Sequence, residues 1–112
     1  MIVNKMVEDP VLDRTYAALA DTTRRLILAR LSQGEARISD LAEPLPMTFA
    51  GVSRHVRVLE AAGLVAREVR GREHWLSVRA DNLEFAERWL HEQREFWAIR
   101  ADALAARLEQ RR

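Results

Sequence analysis

A mainly α-helical fold with one small β-hairpin is predicted for this sequence from two observations. Only four glycines and three prolines interrupt its 112 residues, and most of them fall where a helix or strand is expected to begin or end. Apolar residues recur largely at helical spacing, except in one segment, 64–79, where short β-branched runs flank a glycine. A chain of this length supports one hydrophobic core, so we expect a single domain over residues 1–112.

Two helices are predicted at the start of this domain. Asp9-Pro10 is typical of an N-cap followed by proline at the first helical position, and it opens a helix to about residue 20. Asp21 caps the next helix, 22–32, with Gly34 just beyond its end. The inward face of this pair is expected to comprise Leu19, Leu26, Ile27 and Leu31.

A helix-turn-helix spacing follows. Ser39 is the expected N-cap of a short helix, which Pro44-Leu45-Pro46 ends. Thr48 caps a longer helix, 49–62, and Gly63 is placed to end it. A short helix, a tight turn and a longer helix are the arrangement that many DNA-binding proteins use.

A β-hairpin and a long terminal helix complete the chain. Residues 64–70 and 74–79 are predicted strands, and Gly71-Arg72-Glu73 is the predicted turn between them. Asp81 or Asn82 then begins a helix that lasts to about residue 109. The predicted order is α-α-(short β)-α-α-β-β-α, a winged helix-turn-helix in which the hairpin is the wing.

Positive charge is concentrated in the middle of the chain. The 18 basic and 17 acidic side chains give a net charge of +1. Residues 1–48 hold six basic and seven acidic side chains (net −1), residues 49–79 six and three (net +3), and residues 80–112 six and seven (net −1). The positive charge of this middle third would attract a phosphate backbone, although such asymmetry is also common on proteins that bind no nucleic acid.

The longer helix carries two different faces. An apolar stripe of Val52, Val56 and Leu59 recurs at i, i+4 and i+7. The other face is small near its start and cationic beyond it, with Ala50, Ser53, Arg54 and Arg57. This face suits close approach to a major groove, with hydrogen bonds to base edges and phosphates; the alternative is a solvated face that carries two arginines.

The hairpin tip adds two more cations, Arg70 and Arg72, on either side of Gly71. A basic wing of this kind contacts phosphates or the minor groove beside the recognition helix. Together with the helix-turn-helix spacing, it favours binding of double-stranded DNA. The alternative is a winged-helix interaction module whose basic face meets a protein partner without reading DNA sequence.

Three segments resemble the ArsR/SmtB family of bacterial winged-helix repressors. Residues 18–25, 38–42 and 52–65 read ALADTTRR, ISDLA and VSRHVRVLEAAGLV, where the family has ALADPTRR, ISELA and VSKHLKVLEEAGLV. The resemblance runs from about Val11 to Arg79, and threonine at position 22 replaces the family's usual proline. It implies that the 49–62 helix is the recognition helix, with Thr48, Phe49, Ala50, Ser53, Arg54, His55 and Arg57 at the matching positions.

Two of these residues have open alternatives. Phe49 suits contact with a thymine methyl group, and it equally suits packing that fixes the preceding turn. His55 suits a phosphate contact or a ring packed within the protein.

No metal, cofactor or catalytic site is expected. The absence of cysteine excludes thiolate metal sites and thiol redox sensing. Metal sensors of the family carry cysteines in the phrase ELCVCDLA, and here Arg37 and Ser39 occupy both positions. The family's second metal site is also missing, because neither Asp81 nor His91 has a partner at ligand spacing. The chain therefore resembles a metal-free branch, and it has neither a Gly-rich phosphate loop nor a catalytic Ser/His/Asp arrangement.

The terminal helix carries a broad apolar stripe. Leu83, Leu90, Trp97 and Leu104 recur every seven residues, and Phe85, Trp89, Phe96, Ala101 and Leu108 widen the stripe. A stripe this broad must be covered, and its aromatic content suits an interface between two chains. The resemblance implies a homodimer formed by the first and last helices, to which Leu12 and Tyr16 would also contribute.

A two-fold dimer predicts the form of the operator. Two recognition helices on one face of DNA require an inverted repeat. Trp89, Phe96 and Trp97 would either pack within the protein or line a seam pocket for an unidentified small-molecule inducer. With no apolar run near the ~20 residues of a membrane helix and no secretory h-region at the N-terminus, we expect a cytoplasmic homodimeric repressor.

Overall fold

The computed structural model describes residues 9–111 and confirms the predicted fold class. Each predicted element is present in the predicted order. The helices are α1 (Pro10–Leu19), α2 (Thr22–Leu31), α3 (Ile38–Ala42), α4 (Phe49–Ala61) and α5 (Asp81–Gln110), and the strands are β1 (Ala36–Arg37), β2 (Val65–Arg70) and β3 (Glu73–Val78).

The three strands form an antiparallel sheet in the order β1-β3-β2. The hairpin ladder runs from Val65 opposite Val78 to Arg70 opposite Glu73, so its turn is two residues long rather than the predicted three. Gly71 has a φ of +63° in this turn, which a residue without a Cβ adopts readily. Strand β1 supports only the middle of the hairpin, because it pairs with Leu76 and Trp75 alone.

The core forms where α4 meets the sheet and the other helices. The predicted stripe of Val52, Val56 and Leu59 is fully buried. One expectation for α2 is wrong, because Leu26 is 53% exposed. Ile27, Leu28 and Leu31 are the buried residues of α2, and Leu26 lies about 100° around the helix from its neighbour Ile27.

The start of α3 also differs from prediction. Helix α3 begins at Ile38, and its N-cap is Arg37 rather than Ser39. The Asp40 carboxylate accepts a hydrogen bond from the Arg37 backbone N–H at 3.0 Å. This bond satisfies a donor at the helix start, so Ser39 lies inside the first turn and points to solvent.

The end of α4 is fixed by a two-bond motif around Gly63. The Gly63 N–H donates to Glu60 O and the Leu64 N–H donates to Leu59 O, both at 2.9 Å. Gly63 has a φ of +72°, and a Cβ there would lie 2.3 Å from the Asn82 amide nitrogen. The Asn82 amide in turn donates to Ala62 O at 2.8 Å. The predicted glycine cap is confirmed, and it also sets where α5 departs.

Helix α5 projects away from the rest of the fold. Its 30 residues correspond to about 45 Å of helix, and the longest dimension of the chain is 69 Å. The radius of gyration of 19.4 Å is well above the ~13 Å of a compact chain of about 100 residues. The winged-helix head is thus well packed, whereas the distal part of α5 has few intramolecular neighbours.

Candidate nucleic-acid interface

The exposed face of α4 is the starting point of the site. The buried stripe turns the opposite side of the helix outward, so Ala50, Arg54 and Arg57 are exposed and Ser53 is half-buried. Thr48 is the N-cap, and its hydroxyl accepts a hydrogen bond from the Gly51 N–H at 3.1 Å. The structure therefore places two arginines on one accessible face of a capped helix.

A groove of about 580 Å³ separates α4 from the wing. Phe49, Ser53 and Arg57 form its helix wall, spaced at i, i+4 and i+8. Arg67, Arg72, Glu73 and His74 are the wing residues that line it. The groove is therefore a concave surface with cations on both walls.

Phe49 stands at the rim of this groove with 57% of its surface exposed. A side chain that fixed the preceding turn by packing would be buried. The exposure therefore favours the first alternative, in which the ring is available to an external partner.

The arginines around the groove differ in how their charges are used. Arg67 donates to Glu60 Oε1 at 2.6 Å and to His74 Nδ1 at 3.0 Å, and the hydrogen bond that it donates to Glu60 raises the pKa of Arg67. Arg54, Arg57 and Arg72 make no ion pair within residues 9–111. These three charges are the ones that remain free for an anionic partner.

Arg70, one of the predicted wing contacts, is already paired within the fold. Side chains alternate between the two faces along a strand, so Arg70 shares the outer face of the sheet with Glu68, two residues before it, and with Trp75, which pairs with Glu68. Its guanidinium donates to both oxygens of Glu35 at 2.9 Å and to Glu68 at 3.0 Å, and it lies 5.1 Å from the centre of the Trp75 ring. Unlike Arg72, it does not line the groove.

The structure also sets His55 apart from the exposed face of α4. Its ring is half-buried, with Nδ1 3.3 Å from an Arg24 guanidinium nitrogen and 3.7 Å from an Asp21 oxygen. Arg24 also donates to the carbonyls of Ala17 and Ala18 at the end of α1. The second alternative, a ring packed within the protein, therefore describes His55, which joins α4 to the α1–α2 junction.

Comparison with known proteins identifies the family. The profile described as "Bacterial regulatory protein, arsR family" matches residues 21–67. A crystal structure of an ArsR family transcriptional regulator is 36% identical, with a TM-score of 0.75, covering 79% of this chain and 97% of that one. This chain belongs to the ArsR family.

Two further relatives extend this assignment. HTH-type transcriptional regulator Rv2034 of Mycobacterium tuberculosis is 44% identical over 59 residues, which are 53% of this chain and 55% of that protein. The chain thus spans about half the length of the curated relatives first matched. A homodimeric winged helix-turn-helix DNA-binding domain from Mycobacterium bovis shares the fold at 23% identity (TM-score 0.65, covering 86% and 91%). Rv2034 and the protein of the first crystal structure are transcriptional regulators.

The predicted dimerisation residues of this ArsR-family chain fall into two groups, one packed within the chain and one exposed on α5. Tyr16 donates to Ala86 O at 2.8 Å, and its ring meets the half-buried Trp89 edge-on at 6.3 Å. Leu83 packs against the core, and Leu12 is only 3% exposed. Leu12, which was also predicted to contribute to a dimer interface, therefore has little exposed surface in the single chain.

The second group remains uncovered in the single chain. Trp97 is 70% exposed, and more than half of the surface of each of Leu90, Phe96, Leu104 and Leu108 is exposed. A shallow apolar groove of about 470 Å³ lies beside this stripe, lined mainly by Trp89, Leu90, Trp97 and Ala98. The distal stripe thus presents a large apolar surface of the kind that marks an interaction site.

The structure also bears on metal binding and on membrane crossing. Within residues 9–111, no three His, Cys, Asp or Glu side chains come together in a way that could hold a metal ion. Across this same part of the ArsR-family chain, none of the helices has the length and apolar character needed to cross a membrane.

The sequence did not reveal the carboxylate partners of Arg37 in β1 and Arg70 in the wing. Glu35 lies 35 residues from Arg70, and Glu73 lies 36 residues from Arg37. Only the antiparallel pairing of β1 with β3 brings these segments together. Opposite charges on neighbouring strands are a recognisable signal, but using it requires the strand register.

Proposed function

We propose that this ArsR-family regulator is a homodimeric transcriptional repressor that binds an inverted-repeat operator in double-stranded DNA. Residues 1–112 act as one winged helix-turn-helix unit, with recognition helix 49–62, wing 64–79 and dimerisation helix 81–109. The observation that carries the proposal is a set of arginines without an ion pair within residues 9–111: Arg57 and Arg72 line the groove between α4 and the wing, and Arg54 lies on the exposed face of α4.

In this proposal, the DNA contacts are divided between the two walls of the groove. Helix α4 enters the major groove, where Arg54 and Arg57 hydrogen-bond guanine edges or phosphates and Ala50 allows close approach. Thr48 and Ser53 lie toward the start of α4, which is the part of a recognition helix that meets base edges. Arg72 contacts the sugar–phosphate ridge beyond that groove, or the minor groove behind it.

The occupant of the distal α5 stripe is a second copy of this chain. Its exposed leucines and tryptophan continue directly from the α1–α5 contact, so a partner helix would cover them without any change in the head. Residues 81–95 hold five acidic and two basic side chains (net −3), whereas residues 96–112 hold two and four (net +2). An antiparallel pair of α5 helices would place these opposite charges together.

The DNA-binding proposal is tested by fluorescence anisotropy with the protein's own upstream DNA and a scrambled duplex at physiological salt. Specific operator binding predicts an affinity for the upstream DNA about 10³-fold or more above that for the scrambled duplex. Saturation at two chains per duplex is expected. If random-sequence selection also enriches no inverted repeat, sequence-specific binding is wrong, and the interaction module becomes the better interpretation.

The dimer is tested separately by analytical ultracentrifugation of Trp97→Glu. A charge in the centre of the apolar stripe should convert the dimer to monomer, because an unpaired buried charge is costly. Ile99→Glu is the matched control, since Ile99 is 68% exposed but lies off the Leu90–Trp97–Leu104 line. A Trp97→Glu protein that remains dimeric would contradict this interface.

A further inference from the structure

The outer face of the wing holds a cluster of ion pairs built around Trp75. Arg37 of β1 and Arg70 of β2 both lie against this ring, with their guanidinium carbons 5.5 and 5.1 Å from its centre. Each arginine also contacts two carboxylates. The pairs are Arg37 with Asp40 and Glu73, and Arg70 with Glu35 and Glu68.

This cluster begins where the backbone support of the wing ends. Strand β1 pairs with β3 only at Leu76 and Trp75, so Arg70 and Glu73, the last pair of the hairpin ladder, lie beyond its reach. A two-stranded hairpin without a third strand is only marginally stable in water. Side chains therefore provide the connection that the backbone lacks at the wing tip.

The two arginines connect the wing to other parts of the chain. Arg70 lies across Trp75 and reaches both oxygens of Glu35 at 2.9 Å, and these hydrogen bonds raise its pKa. From the other side, Arg37 donates to Glu73 at 2.6 Å and to Asp40 in the first turn of α3. The wing is thus tied both to the segment before β1 and to the helix-turn-helix.

We infer that Arg70 is a positioning residue, which acts through Glu35 and Trp75 to hold the wing where Arg72 reaches DNA, rather than a DNA contact itself. The inference rests on the proposed DNA binding. The direction in which operator affinity changes when Glu35 is removed distinguishes a positioning role of Arg70 from a direct DNA contact. If Glu35 positions the wing through Arg70, removing either partner weakens operator binding; if Glu35 merely sequesters a DNA-contacting arginine, removing Glu35 strengthens it.

The test compares Glu35→Ala, Arg70→Ala and the double variant by anisotropy on the operator over a range of salt concentrations. Each single variant should bind about three- to tenfold more weakly, a size consistent with loss of an exposed ion-pair network and a cation–π contact. The double variant should be no weaker than the weaker single one, because both changes remove one interaction. The salt dependence of Arg70→Ala should match the wild type, whereas loss of a phosphate contact would lower its slope by about one per protomer.

Charge exchange provides a readout that general destabilisation would not give. Arg70→Glu alone should weaken binding, and adding Glu35→Arg should restore most of the loss because the pair is re-formed with reversed polarity. Tighter binding by Glu35→Ala, a reduced salt slope for Arg70→Ala, failure of the exchange, or wild-type affinity in both single variants would each overturn the inference. Wild-type protein on operator and scrambled DNA is measured alongside, so failure of DNA recognition itself is seen separately.

Discussion

Two sets of arginines near the wing differ in their partners. In the outer-face cluster around Trp75, Arg37 and Arg70 are each held by two carboxylates and an aromatic ring. On the groove side, Arg67 is paired with Glu60, whereas Arg57 of α4 and Arg72 of the wing form no ion pair within residues 9–111. Only Gly71 separates Arg70 from Arg72 in sequence, yet Arg70 is paired and Arg72 is not.

This difference shows that basic charge and DNA contact are separate properties. Counting arginines in residues 49–79 locates the positive region, but it does not tell which charges are already neutralised. Ion pairs within the fold decide which charges are neutralised, because a guanidinium that donates to two carboxylates must lose those hydrogen bonds before it can bind a phosphate. Four experiments test this difference, and each is expected to have a smaller effect than the one before it.

The largest effect is expected from removing the free arginines of α4. Arg54→Ala combined with Arg57→Ala should weaken operator binding by roughly 30-fold or more, since each specific arginine contact contributes about 1–3 kcal/mol. The double variant Arg88→Ala with Arg100→Ala is the matched control, because it removes the same charge from α5. Anisotropy titration measures both, and equal losses would mean that net charge rather than position governs binding.

A smaller effect is expected from Arg72→Ala at the wing tip. Loss of one phosphate contact should lower the slope of log affinity against log salt by about 0.9 per protomer. The affinity should fall by a similar factor on operator and scrambled DNA, because phosphates carry no sequence information. An unchanged salt slope would show that this free cation does not meet the DNA backbone.

A still smaller effect is expected at Phe49. If its exposed ring touches a thymine methyl group, replacing that thymine by uracil should weaken wild-type binding about fourfold, the contribution of one buried methyl. Phe49→Ala should be insensitive to the same replacement. Uracil is substituted at each operator thymine in turn, and wild-type binding that is indifferent at every position would rule out this contact.

The smallest effect is expected in the pH dependence of stability. Hydrogen bonds from the Arg37 side chain lower the pKa of Asp40, and a hydrogen bond from Arg70 lowers that of Glu68. A lowered folded-state pKa contributes stability above the ordinary carboxyl pKa, near 4, and this stability is lost as pH falls through the folded value.

Urea midpoints between pH 7 and pH 2 measure this loss. The decline below about pH 5 should be shallower in Asp40→Asn and in Glu68→Gln than in the wild type. Arg57→Ala, which removes an arginine from the groove side, should decline as the wild type does. An unchanged decline in both carboxyl variants would mean that the outer-face pairs contribute nothing to stability.

Much of the architecture could be predicted because the signals are local. Asp9, Asp21 and Thr48 cap the helices that they were predicted to cap, and Gly63 ends α4. The apolar spacing of α4 identified its buried stripe, and with it the face that carries Arg54 and Arg57. Each of these inferences needs only residues within a few positions of one another.

The errors arose where contacts in the folded chain, rather than residue type, decide the outcome. Ser39 was a reasonable cap by residue type, but Asp40 bonds back to the Arg37 N–H and starts the helix earlier. Leu26 fitted an apolar pattern, but the packing of α2 against α4 and β3 buries its neighbours instead. For His55, which the sequence left open between a phosphate contact and a packed ring, Asp21 and Arg24 beside the ring favour the packed ring.

The order of the helices and strands, the exposed face of α4 and the apolar stripe of α5 could be predicted from the sequence, since capping and periodicity are short-range properties of the chain. Which arginines remain free, and which part of that stripe remains uncovered, depend on the folded chain. Antiparallel pairing of β1 with β3 brings Glu35 to Arg70, and the departure of α5 leaves Trp97 without neighbours. Both outcomes depend on contacts across many residues, because charge pairing and burial are set by distances in space rather than along the chain.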